Sequence, residues 1–266
     1  MNIIVCCKQV IDPEASPADF KIDSTANKVI PPGGVSPVIS PFDEQAVEAA
    51  LRIKDKHDCK VTAISLGNNL ARDVVKKPLA MGADELVLLE DEAFEGGDSW
   101  STAYALATAI KKIGQYDLIF CGRQAADWDT GQVGSGIAEI LDIPSVTVAQ
   151  KVELFDGKAR VERIIDDGYE VLEVTLPALV TMSNELGQPR YASLKGITAA
   201  AKKQPIVWKP GDIGVQSSQI GADGRLTKLV KLFQPVREGN CEIVDGETPA
   251  EAGVNFALRL REAKII

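Results

Sequence analysis

Short runs of β-branched and aliphatic residues alternate with segments of helical period up to about residue 155. This is the pattern of an α/β protein in which helices cover the faces of a parallel sheet. Beyond that point the rhythm changes to period two without long helices, which adds antiparallel strands to the same body. The chain has 266 residues, 45% of them apolar and 25% charged, so a sizeable core is available and neither disorder nor a fibrous repeat fits. Composition divides the chain into an α/β domain over 1–184 and a Gly- and Pro-rich arm over 185–266 that ends in a helix.

The first strand is expected over 3–8. It leads into a long loop, because Pro13, Pro17, Pro31, Pro32, Gly33, Gly34 and Pro37 leave room for a short hairpin at most. Ser40-Pro41 then reads as N-cap and first helical position. Asp43 and Glu44 suit the positive end of the dipole, and Ala46, Ala50 and Ile53 give an apolar face out to about His57. Residues 60–66 form the second strand. A helical stretch over 69–81 follows, which Pro78 should kink or shorten, and 86–89 is the third strand.

Ala103, Leu106, Ala107, Ile110 and Ile113 share one face of a helix over 98–113, ahead of a strand at 117–121. A Gly-rich turn separates that strand from a helix over 130–141, which Ile143-Pro144 ends before a strand at 146–154. Strands at 158–164, 169–174 and 178–182 are expected to form the antiparallel part. In the arm, Thr248-Pro249-Ala250-Glu251 fits a capping box with Pro at the first helical position, and Phe256 and Leu260 supply a docking stripe.

Charge and cysteine content narrow the function classes. The net charge of −9 repels phosphodiester backbones, so nucleic-acid binding is not expected. Cys6, Cys7, Cys59, Cys121 and Cys241 are odd in number and form no C-x-x-C, which suits reduced thiols in the cytoplasm. The apolar N-terminus is too short for a signal sequence, and no apolar run approaches the ~20 residues of a bilayer span, so no membrane insertion is expected. His57 is the single histidine and lies near a helix C-terminus, where an imidazolium favours the dipole; no His-based metal cluster or hydrolase triad is expected. Cys6 and Cys7, adjacent on a strand, should point to opposite faces as small buried hydrophobes.

The richest segment joins the 117–121 strand to the next helix: Cys121-Gly122-Arg123-Gln124-Ala125-Ala126-Asp127-Trp128-Asp129-Thr130-Gly131-Gln132-Val133-Gly134-Ser135-Gly136. Free N–H groups and the positive dipole end make such a junction a phosphate site, and ligands collect at the carboxyl ends of parallel strands. Arg123, Gln124, Thr130, Gln132 and Ser135 supply donors, while Asp127 and Asp129 should cap the turn or meet ribose hydroxyls. An ordinary Gly-rich turn remains the other reading, since neither G-x-G-x-x-G nor G-x-x-x-x-G-K-[ST] is present. Glu95-Gly96-Gly97-Asp98-Ser99, after the third strand, is a second turn of this kind.

Several motifs occur together: V-C-C-K-Q-V-I-D over 5–12, Ser40-Pro41-Phe42-Asp43, Ala80-Met81-Gly82-Ala83-Asp84, the Gly-rich segment over 122–136, and Pro189-Arg190-Tyr191-Ala192-Ser193-Leu194. In order and spacing they resemble electron transfer flavoprotein β subunits over nearly the whole chain. The resemblance implies a Rossmann-like domain of the adenine nucleotide α-hydrolase type, making 1–184 the nucleotide- or FAD-binding domain and implying a heterodimer with an α subunit. By the resemblance, nucleotide contacts fall on Cys7, Ser40, Pro41, Phe42, Leu66, Gln124, Ala125, Ala126, Asp127, Trp128, Asp129, Thr130, Gly131, Gln132, Val133, Gly134 and Ser135.

Conventional members hold AMP there, whereas electron-bifurcating members hold the adenosine diphosphate part of a second FAD. The family's more acidic Q-A-I-D-D-D type stretch is here Gln124-Ala125-Ala126-Asp127-Trp128-Asp129, and the arm over 217–237, with Arg225, Lys228, Lys231 and Arg237, looks like the bifurcating branch. That branch implies NADH as donor near Gly96, Gly97 and Asp98, and ferredoxin or flavodoxin as one acceptor. An acyl-CoA dehydrogenase-type enoyl-CoA reductase would be the other, reached through the α-subunit FAD and docked through Pro189, Arg190, Tyr191 and the apolar anchor Leu194. The alternatives are simple electron transfer with structural AMP and, from another class, a universal-stress-type nucleotide-binding regulatory module.

Overall fold

The computed structural model describes every residue except 17–19, 236–238 and 240, so Pro17 and Arg237 lie outside the described residues. It opens with β1 (Asn2–Cys6), the short strands β2 (Gln9–Ile11), β3 (Lys21–Asp23), β4 (Lys28–Ile30) and β5 (Pro37–Ile39), and the helix α1 (Pro41–Lys54). β6 (Lys60–Gly67), α2 (Arg72–Val75), α3 (Lys77–Met81), β7 (Glu85–Glu90), α4 (Ser99–Ile113), β8 (Leu118–Gly122) and α5 (Val133–Leu141) follow. Next come β9 (Ser145–Phe155), β10 (Lys158–Ile165), β11 (Gly168–Thr175), β12 (Ala178–Met182), α6 (Leu194–Lys202), β13 (Ile206–Trp208), α7 (Gly221–Gly224) and α8 (Pro249–Glu262).

The central sheet has the order β11-β10-β9-β12-β8-β1-β6-β7-β13, parallel from β9 to β13 with β10 and β11 antiparallel at one edge. Its middle strands are buried on both sides because helices cover both faces. Val5, Val61, Ala63 and Phe120 pack with α1 and α3 on one face, and Ile4, Ile64 and Ile119 with α4 and α5 on the other. Cys7 belongs to the first cluster and Cys6 to the second, as their adjacency requires. From β1 the chain winds through α1 and β6 to β7 on one side. It then crosses by α4 to β8 on the other side of β1, so the winding reverses between β1 and β8.

Several elements differ from expectation. β1 stops at Cys6, and Gln9–Ile11 pairs separately with β5. The 69–81 helix divides at Lys76 into α2 and α3, with Pro78 in the first turn of α3, because a Pro there needs no intrahelical N–H. β12 is not antiparallel: it pairs parallel with both β8 and β9 and is buried along its length. Its unbroken Ala-Leu-Val-Thr-Met run is the signature of a strand covered on both faces. Residues 194–202 form a helix within the stretch expected to be irregular, and β13 extends the sheet beyond β7.

The chain divides into compact units at Met1–Val230 and Lys231–Ile266, so residues 185–230 belong structurally with the first unit rather than with the terminal segment, as the 184/185 boundary would have them. In the second unit Thr248 accepts the Glu251 N–H at 3.2 Å, and Glu251 accepts the N–H of Glu247 at 2.9 Å. No residue of α8 is buried; of the expected docking stripe Phe256 is exposed, with Val254 and Leu258, while Leu260 is half-buried. Among the described residues, no helix is long and apolar enough to cross a membrane.

Candidate functional site

The crevice at the β1/β8 reversal is built on α1. Asp43, in its first turn, is buried and accepts two backbone N–H groups: Lys8 donates to Oδ2 at 2.8 Å and Gly122 to Oδ1 at 3.0 Å. One carboxylate thus ties together the chain just past β1 and the last residue of β8. Burial pushes Asp43 up to about 7, against the two N–H donors and the Lys8 ammonium, while Asp127 adds to the rise. Only glycine fits at 122, because a Cβ there would lie 2.6 Å from Asp43 Oδ1 and 2.7 Å from the Phe42 carbonyl carbon.

Ser40 is fully buried, and its hydroxyl makes no helix cap. It accepts instead from the Ala126 N–H at 3.4 Å, reaching across to the Gly-rich turn. Arg123 lays its guanidinium over the Phe42 ring, 4.8 Å from the centroid, and donates to Ser183 Oγ at 3.4 Å. Its Nε is buried without a hydrogen-bond partner among the described residues. Cys7 is a core residue whose thiol is pushed well up by burial and then by Asp43, and Leu66 lies half-buried near the end of β6.

Both acids of the turn have hydrogen-bond donors. Lys8 Nζ donates to Asp127 at 2.8 Å, and Gln124 Nε2 to Asp129 Oδ1 at 2.8 Å. Asp129 has φ 52° and Gly131 φ 63°, so the backbone turns through the left-handed region twice before the helix. Because α5 begins only at Val133, Thr130, Gly131 and Gln132 belong to the turn, and Asp129 serves the turn instead of capping the helix. Among the described residues, the N–H groups of Val133, Gly134 and Ser135 have no acceptor, as expected of an uncapped first turn. Trp128, in the same turn, is exposed.

The second turn is different. Asp98 caps α4 through Ser101 N at 3.0 Å, and Ser101 Oγ accepts from Asp98 N at 3.1 Å. The other carboxylate oxygen takes Leu226 N and Thr227 N at 2.8 Å and Thr227 Oγ1 at 3.0 Å. Burial opposes but these donors prevail, holding Asp98 down from 3.8 to about 2. A Cβ on Gly96 would meet Ala222 at 3.2 Å, and one on Gly97 would meet Gly221 at 3.4 Å. The face of Gly96, Gly97 and Asp98 expected beside NADH is therefore occupied by the chain's own segment 221–227. Ser99 Oγ donates to Thr130 Oγ1 at 3.1 Å and joins the two turns.

The 185–197 segment shows a similar division of labour. Arg190 donates from Nε to buried Glu48 at 2.8 Å and from Nη2 to Asp55 at 2.7 Å, so it anchors the segment to α1 and is not free for a partner. Burial would raise the Glu48 carboxyl, but Arg190 and Arg52 hold it low. Tyr191 is 96% exposed and Leu194, the first residue of α6, 82%; Pro189 is half-buried. Lys8 and Asp43 were missed by sequence reasoning as site residues. Their signal was present in V-C-C-K and S-P-F-D, but which atoms they hold depends on contacts 35 and 79 residues apart.

A doubly wound sheet whose winding reverses at a crevice, with an uncapped helix N-terminus opening onto it, defines the class of α/β proteins that take a ligand at the carboxyl edge of the sheet. Residues 32–213 match the electron transfer flavoprotein domain. The chain is 45% identical over 267 residues, all of both chains, to the electron transfer flavoprotein subunit beta of Thermoanaerobacterium thermosaccharolyticum. It is 41% identical, again over all of both chains, to the caffeyl-CoA reductase-Etf complex subunit CarD of Acetobacterium woodii. To the acryloyl-CoA reductase electron transfer subunit gamma of Anaerotignum propionicum it is 37% identical over 90% of each chain. The chain belongs to the electron transfer flavoprotein β-subunit family. That membership sets aside the universal-stress-type module.

Proposed function

We propose that this β subunit pairs with an α subunit and holds an adenine nucleotide, as the adenosine diphosphate part of a second FAD, in the β1/β8 crevice. The observation that carries the reading is the run of acceptor-free N–H groups at Val133, Gly134 and Ser135, opening at the point where the sheet winding reverses. The Lys8 ammonium offsets the charge of Asp127 towards a diphosphate lodged there, and the Gln124 amide holds the Asp129 carboxylate within the turn. Arg123 Nε supplies a buried donor beside the half-buried Phe42, over whose ring its guanidinium lies.

When bound, such a flavin supplies hydride acceptance from NADH and the division of two electrons. One would go to ferredoxin or flavodoxin and the other, through the α-subunit FAD, to an acyl-CoA dehydrogenase-type enoyl-CoA reductase. The chain's own part is to bind, orient and exclude water. Relatives named for caffeyl-CoA reductase and acryloyl-CoA reductase complexes support an enoyl-CoA partner. Because the chain's own segment 221–227 packs on Gly96, Gly97 and Asp98, NADH approach by that turn would require the segment to move aside.

The test is the nucleotide content of the purified αβ complex: two FAD per heterodimer are expected, and one FAD with one AMP would establish the conventional, non-bifurcating reading instead. Tyr191 and Leu194 form the exposed docking anchor, since large side chains with no packing role suit a transient interface. Leu194→Ala should leave flavin content unchanged and slow electron delivery to the reductase about tenfold; flavin loss or unfolding would remove the anchor role.

A further inference from the structure

Asp43 is a buried carboxylate to which the nucleotide reading gives no part. The ladder between β1 and β8 runs as far as Val5 opposite Phe120. Beyond it the two strand ends are joined through Asp43, which takes the Lys8 N–H on one oxygen and the Gly122 N–H on the other. Both tied residues lead into the candidate pocket: Lys8 Nζ holds Asp127, and Gly122 precedes Arg123, whose guanidinium covers Phe42, the neighbour of Asp43.

We propose that Asp43 is a positioning residue whose ionised carboxylate holds the mouth of the β1/β8 crevice at the width a bound nucleotide needs, so that protonating this one group loosens the nucleotide. The inference rests on the nucleotide reading above. Both N–H groups are accepted most strongly by a carboxylate, whose charge is shared over its two oxygens; in the neutral acid the protonated oxygen is a weaker acceptor, and its own proton adds a buried donor that must find a partner. Charge on Asp43 therefore sets how strongly the strap holds its two ends.

The surrounding groups leave this proton as the one that moves near neutral pH. Burial brings Asp43 up to about 7, with Lys8 pulling down and Asp127 pushing up. Glu44, on the same helix, is paired with Lys77. Cys7, just past β1, and Cys121 of β8 are thiols pushed well up and so stay neutral. His57, the single histidine, lies past the opposite end of α1.

The experiment measures binding of the second equivalent of FAD to the αβ complex by equilibrium dialysis at about pH 6 and about pH 8; the FAD diphosphate loses no proton in that range. The unaltered complex should bind about tenfold more weakly at the lower pH, the scale of one hydrogen bond to a charged acceptor. Asp43→Asn should bind weakly at both, and His57→Gln should keep the slope. A flat profile in the unaltered complex, or an unchanged slope in Asp43→Asn, would overturn the inference. Independently of how that variant folds, infrared spectra of the unaltered complex should show a protonated-carboxyl band growing as pH falls through neutrality, and its absence would also overturn it. If no second FAD binds at either pH, the pocket reading fails and takes the inference with it. If FAD binds equally at both, the pocket stands and the inference alone falls.

Discussion

The turns after β7 and β8 start from the same ingredients, a parallel strand, a pair of small residues, an aspartate and a helix, yet they end in opposite states. After β8 the aspartates are paired with Lys8 and Gln124, and the first N–H groups of α5 are left without acceptors among the described residues. After β7, Asp98 caps α4 and is then filled by donors from Leu226 and Thr227, with Ala222 and Gly221 packed over the glycines. A helix N-terminus becomes a ligand site only if its donors are not already used, and here a segment some 130 residues away uses one and leaves the other. The turn after β8 keeps its helix donors free among the described residues, as the proposed nucleotide site requires, and the turn after β7 is a clasp.

Perturbing the two turns separately tests this contrast. The largest effect is expected at Gly122: in Gly122→Ala a Cβ would press within 2.6 Å of Asp43 and 2.7 Å of the Phe42 backbone, so thermal melts should show destabilisation of about 3 kcal/mol or more, with loss of the nucleotide. Near-normal melting would mean that the crevice can widen freely. Asp98→Ala removes an N-cap and the acceptor for the 226–227 backbone. It should destabilise by about 2 kcal/mol and expose the segment near Leu226 to protease while leaving nucleotide content intact; coupled loss of nucleotide would erase the distinction between the turns.

The same clasp has a pH signature. Asp98 titrates below its unfolded value of 3.8, so its contribution is fully present above about pH 4 and is lost as pH falls towards 2. Protease protection of 221–227 should disappear over that window in the unaltered chain, and Asp98→Asn should lack the window. The smallest effect is expected where the turns meet. Ser99→Ala deletes an exposed hydroxyl contact to Thr130 and should shift stability by less than about 0.5 kcal/mol. A larger loss on urea denaturation would show that the turns act as one unit.

Local pattern and the final fold agree best where the deciding interactions are close in sequence. The alternation of strands and helices, the opposite facing of Cys6 and Cys7, the Thr248 cap and the Pro78 break follow from period, capping chemistry and a missing N–H. These act within one turn or one pleat, so the sequence by itself determined them. The strand over Ala178–Met182 shows the limit: its apolar run declares a strand, but whether it pairs parallel in the core or antiparallel at the edge depends on which neighbours close around it. The same holds for Asp43, Asp98 and Arg190. Each is an ordinary surface-type residue in sequence, and each becomes a tie through a partner far along the chain, 79 residues away for Gly122 and Asp43, 129 for Thr227 and Asp98, and 142 for Arg190 and Glu48; Asp43 and Glu48 are buried, so their carboxylates need those donors in place of water. Tertiary structure alone decided those pairings, since which donor comes to lie beside which carboxylate depends on how distant parts of the chain pack together.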